Sequence, residues 1–443
     1  MRIKISALSI LLVISAVIGV AISYSHFYLF HVVLILLLTA LFIRIIQNKG
    51  KINLPIHARK YHYMFYFMFI WYLLSIIWSV YPPYSVQYIF YIFCGMSVAL
   101  TIVYYGYSLE KLQLIFKAIS IVFIIEVFFS LLEAYTRFRL PISPFSHYVH
   151  YFGRQGSELN IFTPEVQEYL HSLPTGFQWN PNNLAATMCI ILPFLLFHEN
   201  RIVKLFGSIS VISIIYATDS RGALLAALFI VIGYCLLYIR KYSKLFFSLS
   251  ISISISIVFL VGAVFVASSF DTQLKFSIIG ESIEATRLFI SEKVDTDNSI
   301  GIRQNLIYNG LEALASTNGL GVGGGASNWI QESDHDLRNI TSMHNFWIEI
   351  LVEGGVIFFI IFMTWYFLIF FQLYKTYYKT DVPCLQYFSG ASSLSLLGFI
   401  PAAISPSSCI YLLPMWILLG WSVALINVDV YHKLVLNREH SCT

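Results

Sequence analysis

The sequence contains few charged residues for its length. Only 11% of its 443 residues are Asp, Glu, Lys or Arg, whereas 58% are hydrophobic, and the mean hydropathy is +0.74. A soluble protein carries about 25% charged residues. This chain cannot cover its apolar surface with polar groups, so a lipid bilayer is its expected solvent. The net charge of +4 gives no reason to expect a nucleic-acid partner.

Metal-ligand and repeat patterns are equally scarce. The six cysteines form no CxxC pair or other metal-ligand spacing, which argues against a metal site and a disulfide framework. The sequence also lacks an internal repeat, a heptad pattern and a linker. We therefore predict a single polytopic membrane domain over 1–443.

Twelve apolar segments are long enough, or nearly so, to cross a hydrocarbon core of about 30 Å. They are 5–24, 27–46, 61–80, 84–105, 112–135, 182–198, 205–218, 222–239, 245–269, 346–373, 386–404 and 409–428. The seventh is short and is expected to be thin, broken or re-entrant. Within the ninth, serine alternates with Leu and Ile over 248–257, but an open strand would leave its backbone unpaired in lipid. The predicted fold class is therefore all-α, with about 12 transmembrane helices.

The positions of Lys and Arg orient these segments. With the N-terminus inside, 18 of the 27 Lys and Arg residues fall in predicted cytoplasmic segments, and among the short loops only Arg221 breaks the pattern. Both termini are therefore predicted to be cytoplasmic. Two long extracytoplasmic loops result, 136–181 and 270–343, the second lying between spans nine and ten. Helical patterning from Arg303 to Ala315 predicts that the second loop is a small folded cap.

Two arginines on this outer face are candidate anion ligands. Arg221 lies between spans seven and eight, where a charge is costly unless it is paired. It is either a turn residue that reaches the headgroups or a fixed cation at a cavity mouth, where a guanidinium suits phosphate oxygens. Arg303, taken alone, is more typical of a solvated surface. The glycine-dense stretch 318–325 lacks the strand and the Lys-Ser/Thr pair of a nucleotide loop, and a plain turn is its favoured interpretation over a ligand-binding backbone.

The strongest candidate for chemistry lies where the chain enters span ten. His344 and Asn345 stand at its outer end, and Glu349 and Glu353 follow four residues apart, on one helix face. Carboxylates in a membrane segment indicate function or buried pairing. A lone histidine at a helix start is usually a cap or interface residue. Together with two carboxylates and two arginines on the same side, a histidine that can accept a proton near neutral pH is favoured as catalytic.

Other polar groups near the same face are weaker candidates. Asn180 and Asn182 flank a proline where span six opens, a pattern typical of a helix cap, and substrate binding is the alternative. Arg338, in the large loop, is a further candidate for substrate binding. Glu126 and Glu133 share one face of span five, where they would either bind an arginine from another span or form a structural pair.

The motif at span ten resembles that of the O-antigen ligase and polymerase superfamily of bacterial cell-surface glycan enzymes. The family motif is His-Asn, nine residues, Gly, two residues, and then a small residue or tyrosine. His344-Asn345 and Gly355 fit this pattern, whereas Phe358 departs from it at the last position. The arginine of Ser-Arg-Gly at 220–222, Arg303 and the Asn-Pro-Asn of 180–182 also stand at positions like those of the family, and the resemblance is best over 176–360.

The resemblance implies a fold like that of lipid-dependent glycosyltransferases and a reaction that needs neither metal nor ATP. The donor would be an undecaprenyl-diphosphate-linked glycan, used at the outer face of a bacterial cytoplasmic membrane, with its lipid in apolar grooves between spans. It implies that His344, Arg221 and Arg303 are catalytic. The predicted substrate-binding residues are Asn345, Glu349, Glu353, Asn180, Asn182 and Arg338.

Three functions remain open at this point. The favoured one is an O-antigen ligase-type transferase that moves a finished oligo- or polysaccharide to lipid A-core or a similar surface acceptor. The alternative is a polymerase of lipid-linked repeat units for O-antigen, capsule or exopolysaccharide. The loop 136–181, with Tyr148, His150, Tyr151 and Trp179, is a candidate acceptor site in both. A transporter or flippase predicts inverted repeats and ionisable groups at mid-membrane, whereas most polar residues of this chain cluster at the outer face.

Overall fold

The computed structural model describes residues 5–48, 58–157, 163–242, 299–332 and 340–441, and these residues are mostly helical. The helices are α1 Ile5–Ile18, α2 Leu29–Gln47, α3 Arg59–Ser75, α4 Pro82–Tyr105, α5 Leu109–Tyr135, α6 Pro164–Ser172, α7 Pro181–Leu196, α8 Arg201–Ala217, α9 Arg221–Tyr242, α10 Ser299–Ser316, α11 Ala326–Glu332, α12 Phe346–Lys379, α13 Pro383–Ala402 and α14 Leu413–Ser441. Short 3₁₀ turns cover Gly19–Ala21 and Val149–Phe152. One two-stranded hairpin, β1 Ser23–Tyr24 and β2 Phe27–Tyr28, joins α1 to α2.

The predicted membrane segments that the structure describes fall on these helices. Six of them, α2, α4, α5, α9, α12 and α14, contain stretches long and apolar enough to cross a membrane, and the chain is a helical membrane protein. The total of twelve spans stays a prediction, since the ninth segment, 245–269 with its alternating serines, lies outside the described residues. The helix at the short seventh segment begins earlier than the apolar run, at Arg201. Asn200 caps this helix, α8, by accepting hydrogen bonds from the Ile202 and Val203 N–H groups.

The centre of the bundle is α14. Of its most apolar 18-residue window, 89% is buried inside the protein, against 22% for α2. Two glycines permit its close approach to α4. A Cβ atom at Gly95 would lie 2.2 Å from the Trp416 ring, and one at Gly420 would lie 2.5 Å from the Ala99 Cα. Small residues at such crossings let membrane helices pack backbone against backbone.

The helix that carries the motif, α12, is broken at Gly355. This residue has φ +82° and ψ 170°, a conformation that essentially only glycine adopts. A break interrupts the hydrogen-bond ladder, and within a bilayer the released N–H and C=O groups need partners from the protein. The nine residues 346–354 thus form a separate first segment of α12.

The glycine-rich stretch 319–323 supplies those partners. The Val352 and Glu353 carbonyls accept from the Val322 and Gly323 N–H groups at 2.9 and 3.1 Å, and the Val356 N–H donates to the Gly319 carbonyl at 2.9 Å. The Gly354 carbonyl accepts from Trp71 Nε1 at 2.8 Å. The stretch is therefore used as a structural turn that docks the outer loop on α12, and these amides are engaged by the protein itself.

Close packing explains why glycine is needed on both sides of this contact. A Cβ atom at Gly355 would lie 2.2 Å from the Leu320 carbonyl oxygen, and one at Gly321 would lie 2.5 Å from the Gly355 nitrogen. Both clashes are with backbone atoms, which cannot move aside as a side chain can. The Phe358 that departs from the family motif is buried one turn later and stacks against Trp71 and Phe67.

We expect Gly355→Ala to destabilise the protein by about 3 kcal/mol or more, because it combines a glycine-only conformation with a backbone clash. The measurement is thermal unfolding in detergent, with labelling of the buried thiols of Cys94, Cys189 and Cys409 as the readout of unfolding. Gly233→Ala is the matched control, since its Cβ would meet only the movable side chain of Leu394 at 2.8 Å. Equal unfolding temperatures for the two variants would contradict this account of the break.

Candidate active site

His344 occupies a tight bend immediately before α12. Its backbone is left-handed, with φ +47°. The next residue, Asn345, is extended and caps the helix: its side-chain oxygen accepts from the Trp347 and Ile348 N–H groups at 3.1 and 3.3 Å. The cap fixes where α12 begins, and it therefore fixes His344 at the mouth of the first helical segment.

The end of α13 holds this bend in place. The last carbonyls of a helix have no partner within the helix, and here the start of α12 uses three carbonyls in this region. The Phe346 N–H donates to the Ala403 carbonyl at 3.0 Å, and Trp347 Nε1 donates to the Ile400 carbonyl at 2.8 Å. His344 Nδ1 lies 3.2 Å from the carbonyl oxygen of Ser405.

The contact with Ser405 determines the state of the imidazole. A carbonyl oxygen can only accept, so Nδ1 carries the proton and Nε2 presents a lone pair. Burial, and then the positive charge of Arg303, lower the pKa of His344 to about 4, while the Ser405 carbonyl acts in the opposite direction. At neutral pH the side chain is therefore an uncharged hydrogen-bond acceptor.

The structure brings Arg303 to this histidine and Arg221 to Arg303. Arg221 is the first residue of α9, after the left-handed Asp219 with φ +52°. A Cβ atom at Gly222 would lie 2.5 Å from Ser405 Oγ, so the Arg221 turn packs on the same segment that holds His344. Arg303 lies on α10 and interacts electrostatically with both Arg221 and His344.

The electrostatics of this cluster favour an anion. Burial, followed by the like charge of Arg221, lowers the pKa of Arg303, so both effects disfavour its charged form. A negative group between the two guanidinium groups would relieve the repulsion. The planar fork of each guanidinium matches phosphate oxygens. The two guanidinium groups thus accommodate an oxyanion, and the imidazole lone pair beside them accommodates a hydrogen-bond donor such as a hydroxyl group.

The two glutamates of α12 are held by other groups. Glu349 and Glu353 are buried. Glu349 accepts from the Tyr88 hydroxyl on α4 at 3.1 Å, and Glu353 accepts from the Ser327 hydroxyl on α11 at 2.8 Å. These bonds tie the first segment of α12 to α4 and to the outer loop. A part for the pair in substrate binding stays a prediction.

The loop 136–181 is held by the acidic pair of α5. Buried Glu133 accepts from the N–H groups of Leu140 at 3.0 Å and of Thr175 and Gly176 at 2.8 Å each. Arg139 approaches the same carboxylate at 4.0 Å, and Gln178 Nε2 donates to Glu126 at 3.2 Å. These partners of the two glutamates are thus groups of this loop, including Arg139, rather than an arginine of another span.

The end of the loop that Glu133 and Glu126 hold leads directly to the start of α7. Asn180 is the cap of that helix, and its side chain accepts from the Asn182 N–H at 2.8 Å, so the predicted cap is confirmed. The guanidinium carbon of Arg154 lies over the Trp179 ring, 4.6 Å from the ring centre. Tyr148 and Tyr151 are exposed. Arg338 lies outside the described residues.

Two contacts near the arginines had no sequence signal. The Tyr169 hydroxyl, on α6, donates to the carboxylate of Asp219, which ties the loop 136–181 to the Arg221 turn. Asp219 was visible beside Arg221, but its partner lies 50 residues away in sequence and follows no spacing rule. Ser405 escaped prediction for the same reason, since it lies 61 residues from His344.

In the parts of the chain that the structure describes, no group of three or more His, Cys, Asp or Glu side chains is arranged to hold a metal ion.

Comparison with known proteins agrees with the motif. Residues 206–363, from α8 to the middle of α12, match the family model described as O-antigen ligase. The chain is also 22% identical, over 396 residues, to the "Teichuronic acid biosynthesis protein TuaE" of Bacillus subtilis (strain 168), covering 86% of this chain and 75% of that protein. The resemblance to the O-antigen ligase and polymerase superfamily is thereby confirmed.

We expect Glu133→Ala to release the loop 136–181, because three N–H groups lose a charged acceptor, each such bond contributing about 1.5–3 kcal/mol. The measurement is the rate of limited proteolysis in this loop, together with thermal unfolding. Glu110→Ala is the control, since Glu110 is exposed in the first turn of the same helix. Cleavage of the loop at the same rate in both variants would contradict this role of Glu133.

Proposed function

We propose that this chain, whose residues 206–363 match the O-antigen ligase family model, transfers a glycan from an undecaprenyl diphosphate carrier to a hydroxyl group of a surface acceptor. Its family and its relative support a lipid-linked glycan ligase or polymerase in general. The observation that carries the finer proposal is the cluster of His344, Arg221 and Arg303, which combines a proton acceptor with two cations for a diphosphate.

The proposed reaction is one displacement at the sugar carbon that bears the diphosphate. The acceptor oxygen forms a bond to C1 as the bond from C1 to the phosphate oxygen breaks, and the bonding electrons leave with the polyprenyl diphosphate. The proton of the acceptor hydroxyl passes to His344 Nε2. A single displacement inverts the anomeric centre, and the energy comes from the diphosphate leaving group, so no nucleotide is consumed.

The arginines contribute most as the bond breaks. Negative charge then accumulates on the leaving diphosphate, and fixed cations in a partly dry site stabilise such charge without having to reorganise. The repulsion between Arg303 and Arg221 is relieved by the same charge. A bound metal is not needed for this role, and chelation is expected to leave activity unchanged.

Binding of the donor also makes His344 a stronger base. In the free protein, His344 has a pKa near 4 and accepts a proton weakly. A bound diphosphate offsets the positive charge of Arg303 and adds negative charge nearby, so it raises the pKa of His344. The proposed base therefore becomes effective when the donor is in place.

The remaining predicted contacts surround this centre. We propose that Asn345, Asn180 and Asn182 face the glycan or diphosphate from the helix starts at which they stand. Glu349, Glu353 and Arg338 stay in the proposal as predicted substrate-binding residues, with the contacts of the two glutamates to α4 and α11 favouring an indirect role. The acceptor is proposed to approach along the loop 136–181, where Tyr148, His150 and Tyr151 are exposed.

The orientation in the bacterial inner membrane rests on the charge pattern. Lys and Arg concentrate in the loops predicted to be cytoplasmic. This pattern supports cytoplasmic termini and a reaction centre on the extracytoplasmic side, where a carrier-linked glycan and a surface acceptor would meet.

Ligation to lipid A-core or a similar acceptor is the favoured form of the reaction, and polymerisation of repeat units is the second candidate. Polymerisation is kept as the second candidate because the relative is named for teichuronic acid biosynthesis. Donor and chemistry are the same in both, and only the acceptor differs. The polar residues gathered at one end of the bundle and the family match both argue against a transporter.

We expect His344→Ala, Arg221→Ala and Arg303→Ala each to reduce glycan transfer by at least about a hundredfold, as loss of a general base or of an oxyanion donor does. The measurement uses purified protein in lipid nanodiscs with a lipid-diphosphate-linked repeat unit. Thermal unfolding verifies that each variant is folded, and Lys293→Ala, a base of the large loop that has no proposed role, is the control. Unchanged rates in all three variants would rule out the proposed site.

The same assay separates the two candidate functions. A ladder of longer chains that remain on the carrier, formed without any added acceptor, indicates a polymerase. Transfer of the intact glycan only after a surface acceptor is added indicates a ligase. The anomeric configuration of the product tests inversion, and retention would contradict the single displacement.

We expect the acid limb of the rate to differ between free and donor-bound protein. The profile of kcat/KM reports the free protein, so its acid limb should lie near pH 4, where free His344 becomes protonated. The limb of kcat should lie at higher pH, because bound diphosphate raises the pKa of His344. Coinciding limbs at the ordinary histidine value would contradict the coupling of His344 to Arg303.

A further inference from the structure

A cavity of the membrane bundle lies far from His344. It has a volume of about 580 Å³ and lies between α5, α7, α8, α13 and the start of α14. Tyr387, early in α13, lines it and donates to the Phe194 carbonyl at 2.8 Å. His344 and Trp347, by contrast, contact the other end of α13. At 1.5 Å per residue, the two ends are separated by about 20 Å, so the cavity is distinct from the candidate active site.

The lining of the cavity is suited to a hydrocarbon chain. Of its 22 lining residues, 14 are Ile, Leu, Val or Phe, and most of the others are aromatic or small. An apolar cavity does not retain water, and protein interiors contain few voids of this size. Ile121 and Ile124 line the cavity and are 61% and 68% exposed. The cavity therefore opens sideways between helices, where membrane lipid has direct access to it.

Polar groups gather where the cavity meets the end of the bundle. Lys117 and His198 line it there. The Nδ1 atom of His198 accepts from the Asn200 N–H at 3.1 Å, so Nε2 is the protonated nitrogen of the neutral ring. The hydroxyl of Tyr387 is already engaged by Phe194. An ammonium and an imidazole N–H are both donors, and they call for a ligand group that only accepts.

The charges around this mouth are mainly positive. Arg201 and Lys204 lie in the first turn of α8, directly after His198 and its exposed neighbour Glu199. Glu199 is the acid nearest to His198 in sequence, and it interacts electrostatically with Tyr387. The negative charge of Glu199 is outnumbered by the positive charges of Lys117, Arg201 and Lys204. Basic side chains near a membrane surface attract anionic headgroups.

We propose that this cavity binds an anionic glycerophospholipid of the membrane leaflet at that end, with one acyl chain in the cavity and the phosphate at Lys117 and His198. Lys117 reaches the headgroup from the third turn of α5, as long basic side chains do at membrane interfaces. The bound chain fills the gap between α5 and α8 and supports the packing of the bundle away from the reaction centre.

The test is lipid retention by the full-length protein. Purified protein is stripped of lipid, loaded with phosphatidylglycerol or phosphatidylcholine, and the bound lipids are counted by native mass spectrometry. We expect one phosphatidylglycerol to be retained in preference to phosphatidylcholine. Lys117→Gln should weaken that preference roughly fivefold. Lys111→Gln, whose ammonium lies over the Tyr105 ring at 5.4 Å, should leave it unchanged.

A second variant tests the chain rather than the headgroup. Ser120 lines the cavity, and Ser120→Phe should fill it and abolish retention while Lys117 remains. Equal retention of the two lipids, or identical behaviour of Lys117→Gln and Lys111→Gln, would overturn the proposal. Displacement of phosphatidylglycerol by polyprenyl phosphate, with loss of glycan transfer in Ser120→Phe, would overturn it in favour of a path for the donor lipid. Retention is read independently of transfer, so either proposal can fail alone.

Discussion

The constraint on which the structure depends is that a broken membrane helix must have its backbone groups satisfied by protein. Gly355 interrupts α12, and the stretch 319–323 donates and accepts the bonds that the helix gives up. In water such groups would be solvated at little cost, whereas in lipid each unsatisfied group costs several kcal/mol. The outer loop is therefore fixed to the membrane domain at the break. This contact also sets the first segment of α12 apart, with His344 and Asn345 at its mouth.

The same principle governs the reaction centre. The carbonyls around the end of α13 need partners, and Phe346, Trp347 and His344 supply them. One segment thus holds the histidine, fixes its tautomer and packs against the turn of Arg221. Main-chain hydrogen bonding builds the frame, and the two guanidinium groups beside a neutral imidazole make this end of the site attractive to an anion.

The acidic residues show how far sequence reasoning reached. Their cost inside a membrane segment was evident from the sequence, and so was their pairing on one helix face. An arginine from another span was a natural partner to expect, yet Glu133 takes loop amides together with Arg139 of the same loop, and Glu349 takes a tyrosine hydroxyl. A buried carboxylate is satisfied by any well-placed donor. Which donor that is depends on how a loop folds back, and no local pattern encodes it.

The sequence by itself determined the helical membrane class, most helix positions, the cap at Asn180 and the motif of His344, Asn345 and Gly355. Each of these follows from hydropathy, periodicity or the conformational preference of one residue, which act over a few residues of chain. Only the tertiary structure decided that Arg303 lies near both His344 and Arg221, that Ser405 orients the His344 ring, and that residues 319–323 close the break in α12. Such contacts join residues 30 to 82 positions apart. They are set by how helices pack, which single-residue preferences do not encode.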